Sequence, residues 1–445
     1  MYDGFTTIFK WIQIFLSICF KTFNLIYWSF KNKRCFRKLP GFQANGYWFF
    51  GHTLEIKQTG HIDLLNRFPS FFKFSNGLWR DNISCHDPRL IQRVIKNSDR
   101  FVDHHSINAI IWRGPTTGTL QMGPKLKTLR KILKTCYGLQ SKHYYIKTCK
   151  DACVSCIDNL GILENKSKML EIRSLLSGIS SKLPYAIWFG KINQTIEKRI
   201  DEIRHCEFVP SENEFDYCFI LIRKAVQSIT RRQKMMKLHQ DIYKRRRRCI
   251  MNGMGVKTDH QSVLDKLIIM EMEGKISLSD EQITSLFVMN FTLNRTIAHT
   301  FRCMIKCLAE NIVCQSKIVD EIMQMKVNGS YSSDKLPLEQ LECLNMFVCE
   351  VLRLYPLKMT TRIVINSFDF DGYVFPVGTL VDIDLNSLHR HPLFRHSPEK
   401  FMPERFSTEN QNSIYTCLPF SAGPRTCPAK NFILVMIKTF LITFV

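Results

Sequence analysis

The ten residues Phe420-Ser-Ala-Gly423-Pro-Arg425-Thr-Cys427-Pro-Ala429, with the apolar run Asn431–Val445 behind them, constrain this chain more than any other stretch. Gly423 lets the backbone turn tightly, and the apolar run predicts a buried helix that starts just after the cysteine. Arg425 stands two residues before Cys427, and the small Ala429 two residues after it. A thiol at the mouth of a helix beside an arginine has its thiolate favoured by the guanidinium charge and by the helix dipole. That setting suits an anionic sulfur ligand, whereas the usual fate of a free cysteine is to sit buried and inert.

Two upstream segments add to the loop. Glu350-Val-Leu-Arg353 closes an apolar stretch, Leu338–Leu354, that predicts a helix ending at Tyr355-Pro356. At i and i+3 its two charges share a helix face and can pair. Phe401-x-Pro403-Glu404-Arg405-Phe406 lies between that helix and the cysteine loop. In content and order, these three segments resemble the cytochrome P450 family, the haem-thiolate monooxygenases.

The resemblance implies a mainly α fold with a small β-rich subdomain, the cytochrome P450 fold. It implies haem b (iron protoporphyrin IX), with Cys427 as the metal ligand. Phe420 would pack on the flat cofactor, Gly423 would turn the chain beneath it, and Arg425 would pair with a propionate. Ala429 would leave room at the helix start. Glu350, Arg353 and Arg405 would form a buried ion-pair network that holds the loop. Arg362, in Pro356-Leu-Lys-Met-Thr-Thr-Arg362, would meet a propionate, although an exposed strand arginine is the other reading. Lys127 and Arg130 would do the same from a stretch in which Leu126 stands where the family usually has tryptophan.

The family's oxygen-binding helix is the place of greatest departure. Ser279-Asp-Glu-Gln282 is a capping box that predicts a long helix to about Asn311. Within it, Phe291-Thr-Leu293-Asn-Arg295-Thr296 resembles the family's small-Gly-x-acid-Thr stretch. Thr296 keeps the alcohol and is the candidate catalytic residue. Leu293 fills the glycine position, Arg295 replaces the acid, and neither Asp nor Glu occurs between Gln282 and Glu310. An arginine has no proton to give near neutral pH, so relay to dioxygen is impaired relative to the family pattern.

The resemblance implies insertion of one atom of O2 into a lipophilic small-molecule substrate. Gly253-Met-Gly255 is followed by Val-Lys-Thr258 and is not a dinucleotide fingerprint. Electrons are therefore expected from a separate NADPH-dependent reductase or another electron-transfer protein. Two alternatives stay open. One is a haem-thiolate isomerase or dehydratase acting on a peroxide, which needs no proton relay to dioxygen. The other is a catalytically degenerate haem-binding membrane protein.

Charge and the N-terminus bear on partners. The 445 residues hold 62 Lys and Arg against 39 Asp and Glu, a formal charge of +23. That excess favours an acidic protein surface or anionic membrane lipid. Nucleic acid is not expected, since neither zinc-finger spacing nor an aromatic–Gly RNA motif occurs. The basic run from Arg231 to Arg248 reads as a solvated helix face or as a contact for one of those partners. The 17 cysteines are odd in number and irregularly spaced, which predicts reduced thiols rather than a disulfide scaffold.

Residues 1–30 hold two apolar runs, Trp11–Phe20 and Thr22–Phe30, separated by Lys21. A transmembrane helix is the favoured reading and a surface-lying amphipathic helix the alternative. Residues 31–42 form a basic and Pro-Gly hinge whose charge keeps the catalytic domain, 43–445, cytosolic. The expected location is the endoplasmic reticulum membrane, with the mitochondrial membrane as the less favoured alternative. The family normally continues past the last helix into a β hairpin, so that hairpin is expected to be missing here.

Overall fold

The computed structural model describes residues 38–42, 61–75, 81–97, 101–103, 124–138, 142–164, 176, 179, 183, 186–190, 237–253, 261–329, 336–356, 360–391, 396–407 and 414–445. In chain order the elements are α1 (His61–Arg67), β1 (Phe71–Ser75), β2 (Asp81–Cys85), α2 (Pro88–Lys96), β3 (Phe101–Asp103), α3 (Pro124–Cys136) and α4 (Lys142–Glu164). Then come α5 (Val263–Met272), α6 (Asp280–Glu310), α7 (Ile312–Val327), α8 (Glu342–Leu354), β4 (Thr360–Val364), β5 (Phe368–Phe370), β6 (Tyr373–Phe375), β7 (Leu380–Ile383), α9 (Leu385–His389) and α10 (Lys430–Phe444). The fold is mainly α with a small β-rich part, as the sequence implied. The chain forms two compact units.

The first unit takes residues 1–104, 356–400 and 412–426. Its sheet runs β1-β2-β7-β4-β3. β2 and β7 pair in parallel, with Cys85 opposite Ile383, and the other neighbours are antiparallel. Asp371-Gly372 makes the two-residue hairpin between β5 and β6; both residues have positive φ, 48° and 77°. Asp-Gly suits that turn because its twist matches the strands. α2 starts on Asp87, whose carboxylate accepts the Arg89 N–H, with Pro88 in the first turn. Its apolar face, Leu90, Ile91, Val94 and Ile95, joins Phe71, Ile83, Val381 and Ile383 in one core. Pro40 and Phe42 exchange backbone hydrogen bonds with Lys73, and Gly41 has φ 144° where a Cβ would collide with the Lys73 backbone.

The second unit takes residues 105–355, 401–411 and 427–445. The capping box expected at Ser279 is present: Gln282 N–H reaches Ser279 Oγ, and Gln282 Oε1 accepts the Ser279 N–H at 2.9 Å. α6 then runs to Glu310 and stops at Asn311. A second capping box, Ser262 with Asp265, opens α5. The helix expected from Leu338 begins instead at Glu342, after a turn at 338–340, and Leu341 ahead of it offers no side-chain cap. Glu321 of α7 supplies it from outside, its carboxylate accepting the N–H groups of Cys343 at 3.0 Å and Leu344 at 3.1 Å.

Residues 237–251 are helical and carry the described part of the basic run. Lys244, Arg245, Arg247 and Arg248 are exposed, while Arg246 turns inward onto buried Asp265 at 2.6 Å. Among the described residues the cysteines are free thiols, and Cys85, Cys136, Cys149 and Cys153 are buried.

One set of expectations is corrected. Among the described residues no helix is long and apolar enough to cross a membrane. The segment expected to do so, 1–30, lies outside the described residues. Its charge pattern gives the physical reason against the expectation: Lys21 divides it into two runs, each about half the roughly 20 apolar residues that a span requires. The transmembrane helix and the endoplasmic reticulum membrane location are withdrawn with it.

Candidate functional site

Cys427 lies in the second unit, just ahead of α10. Its carbonyl accepts the Lys430 N–H at 3.3 Å, in the turn that leads into the helix. Burial pushes its thiol pKa up, while a hydrogen bond from the Ala429 backbone N–H and the charge of Arg130 pull it down. The cation acting on the sulfur within this unit is thus Arg130 of α3, whereas the sequence pointed to Arg425. Ala429 itself is buried.

An aromatic cluster packs at the first turn of α10. Tyr137, just past α3, packs at a tilt on Phe432 of α10 with centroids 5.1 Å apart, and Tyr145 of α4 meets the same ring edge-on at 4.9 Å. Trp188 is fully buried and donates its indole N–H to the Tyr137 hydroxyl at 2.8 Å. Tyr145 donates to the Cys136 carbonyl at 2.8 Å, and Lys266 donates to that carbonyl at 3.0 Å, closing the C-terminal end of α3.

Glu350, Arg353 and Arg405 come together. Arg353 grips the Glu350 carboxylate with two bonds, Nε to Oε2 at 2.7 Å and Nη2 to Oε1 at 2.9 Å. Arg405 Nε donates to Oε1 at 3.1 Å and the Met402 backbone N–H to the same oxygen at 2.8 Å. Glu350 and Arg353 are wholly buried. A buried carboxylate of this kind is tolerated because charged donors surround it. The short turn Pro403–Phe406 is thereby fixed to α8, and Phe401 packs edge-on against Phe347 at 5.6 Å.

On α6, Leu293 and Thr296 are both half-buried, and the Thr296 carbonyl accepts the Thr300 hydroxyl at 2.9 Å. The Arg295 and Lys127 side chains lie outside what the structure describes.

The remaining loop residues belong to the first unit. Phe420 and Arg425 are half-buried. Gly423 has φ 67° and lies against α2, where an added Cβ would stand 3.0 Å from both Cγ2 and the carbonyl of Ile95. The glycine is needed for both reasons. Arg362 is buried on β4, in register with Asp103 of β3 and Val381 of β7, and donates to the Thr361 carbonyl at 3.1 Å. It is not the exposed strand arginine of the alternative reading.

The family model for Cytochrome P450 matches residues 40–445. The chain belongs to the cytochrome P450 family. Family membership implies a haem-thiolate cofactor. Cytochrome P450 3A15 of Cavia porcellus is 33% identical over 186 residues, covering 41% of this chain and 37% of that protein. Cytochrome P450 3A13 of Mus musculus is 36% identical over 177 residues, 38% of this chain and 34% of that one. The matched stretches thus span little more than a third of those P450 relatives. The solved structure of cyanobacterial CYP120A1 with retinoic acid bound has a TM-score of 0.73 at 19% identity, covering 91% of this chain and 90% of that one. It shows that the P450 fold is shared.

Some residues around the site were not legible in the sequence. Tyr137, Trp188 and the Met402 backbone N–H carry no motif. Arg130 was named for a propionate, and nothing in its spacing pointed to the sulfur. Glu321 caps α8 across a gap of more than twenty residues, beyond the reach of any local capping pattern.

Proposed function

We propose that this P450 is a monooxygenase that inserts one oxygen atom of O2 into a small lipophilic substrate. The second oxygen leaves as water, formed with two protons and two electrons from a separate NADPH-dependent reductase. Haem b would be the cofactor, with the Cys427 sulfur as the group that would hold its iron. The residues present fit that group. Cys427 offers one sulfur that accepts a backbone N–H and feels one guanidinium, and Phe432 and Tyr137 make the helix start apolar. That setting of Cys427 is the observation that carries the proposal.

When bound, haem supplies the oxygen chemistry, and a thiolate ligand favours O–O cleavage. The chain supplies position and charge. Arg130, Lys127, Arg362 and Arg425 are the cations proposed to meet the propionates. Phe420 would pack on the cofactor, Gly423 would turn the loop beneath it, and the small Ala429 would leave room at the helix start. Glu350, Arg353 and Arg405 keep the approach to the loop rigid. Thr296 would hold a proton on the oxygen side.

A second reading has one observation in its favour. α6 has no acid between Gln282 and Glu310, and Arg295 stands where the family places one. An isomerase or dehydratase acting on a peroxide needs neither outside electrons nor a proton relay to dioxygen, so it tolerates that loss.

The carbon monoxide difference spectrum of the reduced protein tests the haem assignment. A red-shifted thiolate band that vanishes in Cys427→Ser is expected; its absence from the parent protein rejects the proposal. Turnover with NADPH and a reductase then supports oxygen insertion. Peroxide rearrangement without a reductase supports the second reading. Inertness in both, with the thiolate band present, means a degenerate haem-binding protein.

A further inference from the structure

His389 has no place in the function proposed above. It ends α9 and is completely buried. The Leu418 backbone N–H donates to its Nε2 at 2.8 Å, across 29 residues of sequence. A ring nitrogen that accepts a hydrogen bond carries no proton. The imidazole is therefore neutral, with its proton on Nδ1.

Both ends of that bond are held. Asp384 opens α9, its carboxylate accepting the N–H groups of Asn386 at 3.0 Å and Ser387 at 3.3 Å and the Ser387 hydroxyl at 2.6 Å. Its own N–H goes to the Cys85 carbonyl of β2 at 2.9 Å, which ties α9 to the sheet. On the other side, Leu418 is buried in one core with Leu388 and Ala422. Its carbonyl accepts the Ser421 N–H at 3.0 Å, closing a turn with Pro419 at the second position, where proline suits a β-turn. The Gly423 carbonyl then accepts the Thr426 N–H at 3.1 Å and the Thr426 hydroxyl at 2.7 Å. Thr426 is bonded directly to Cys427.

The loop between these bonds is strained. Ser421 has φ 58° and Gly423 φ 67°. A left-handed serine persists only where its surroundings over-determine it. Ile95 walls off one side of Gly423, but a steric wall does not fix how far the chain slides along it. A directional hydrogen bond does, and His389 supplies one at Leu418.

We propose that His389 is a positioning residue for the ligand loop: its neutral imidazole latches the Leu418 amide and so sets the course of the chain into Cys427. This rests on the haem-thiolate reading given above.

Two variants separate the acceptor from the bulk of the ring. His389→Gln keeps an acceptor oxygen at about the reach of Nε2, and His389→Phe keeps a ring without an acceptor. Hydrogen–deuterium exchange at the Leu418 amide of the full chain reads the latch without haem. Exchange is expected to be about tenfold faster in His389→Phe and within about twofold of the parent in His389→Gln. In the haem-loaded proteins the thiolate share of the carbon monoxide spectrum is expected to fall in His389→Phe and to be restored in His389→Gln. His389→Asn, whose oxygen stops short of the amide, serves if His389→Phe does not fold. Parental exchange at Leu418 without the acceptor overturns the latch. A parental thiolate share alongside fast exchange overturns the positioning role, as does an equal loss of that share in His389→Gln and His389→Phe. A parent protein without the thiolate band rejects the haem assignment, and the positioning role with it, whereas the exchange result stands on its own.

Discussion

The Met402 backbone N–H donates to Glu350 Oε1 at 2.8 Å, tying the segment ahead of the Pro403–Phe406 turn to a helix some fifty residues earlier. The same oxygen takes bonds from Arg353 Nη2 and Arg405 Nε, while Oε2 takes one from Arg353 Nε. One carboxylate thus holds two guanidinium groups and one backbone donor.

Glu350→Ala is expected to cost about 3–5 kcal/mol, because two arginines lose their buried counter-ion. Glu350→Asp should cost nearly as much, since a side chain shorter by one methylene cannot keep Met402, Arg353 and Arg405 on one oxygen. Urea unfolding of both variants checks this, and haem content measured alongside should fall in each. A Glu350→Asp variant with parental stability and full haem would remove the network from the account.

Glu321 gives a separate expectation. Its carboxylate caps two N–H groups at the start of α8, the helix that carries Glu350. Glu321→Ala should destabilise the protein by about 1–2 kcal/mol, the usual cost of a lost cap. Glu321→Gln keeps an acceptor oxygen and should lose less. Denaturant midpoints for the two variants rank them, and an unchanged midpoint in Glu321→Ala counts against the cap.

These two glutamates show what could be learned from the sequence. Glu350 was legible because its partner Arg353 is three residues away and the order of segments matched a family. The capping box at Ser279 and the hairpin at Asp371-Gly372 were legible because their physics is local. Glu321 was not, since its partners depend on how α7 packs against α8. Arg130 was visible as a cation, yet its action on the Cys427 sulfur follows from the placement of α3 and α10.

Gly423 carries two demands at once. With φ at 67° and Ile95 3.0 Å from a built Cβ, Gly423→Ala meets both backbone strain and a steric clash. The left-handed conformation alone costs a residue with a Cβ about 1–2 kcal/mol, and the contact with the Ile95 carbonyl cannot relax without moving α2. A fall in melting temperature together with weaker haem retention is expected. Retention equal to the parent would mean that the loop has another conformation available.

His239 predicts a pH dependence of stability. It lies buried in the helical stretch 237–251, stacked on Phe189 with centroids 6.4 Å apart, and burial lowers its pKa from 6.5 to about 3. Above pH 6.5 neither the folded nor the unfolded chain holds a proton there, so the contribution is constant. Below 6.5 the unfolded chain takes up a proton that the folded chain refuses, and stability falls by about 1.4 kcal/mol per pH unit. The loss ends near pH 3, where the folded form also becomes protonated. Burial shifts His86 in the same direction, so the informative quantity is the difference between His239→Phe and the parent. The variant keeps a ring against Phe189 and should lose about 2 kcal/mol less between pH 7 and pH 5. Parallel stability curves for the two proteins over that interval would show that His239 takes up its proton in the folded state.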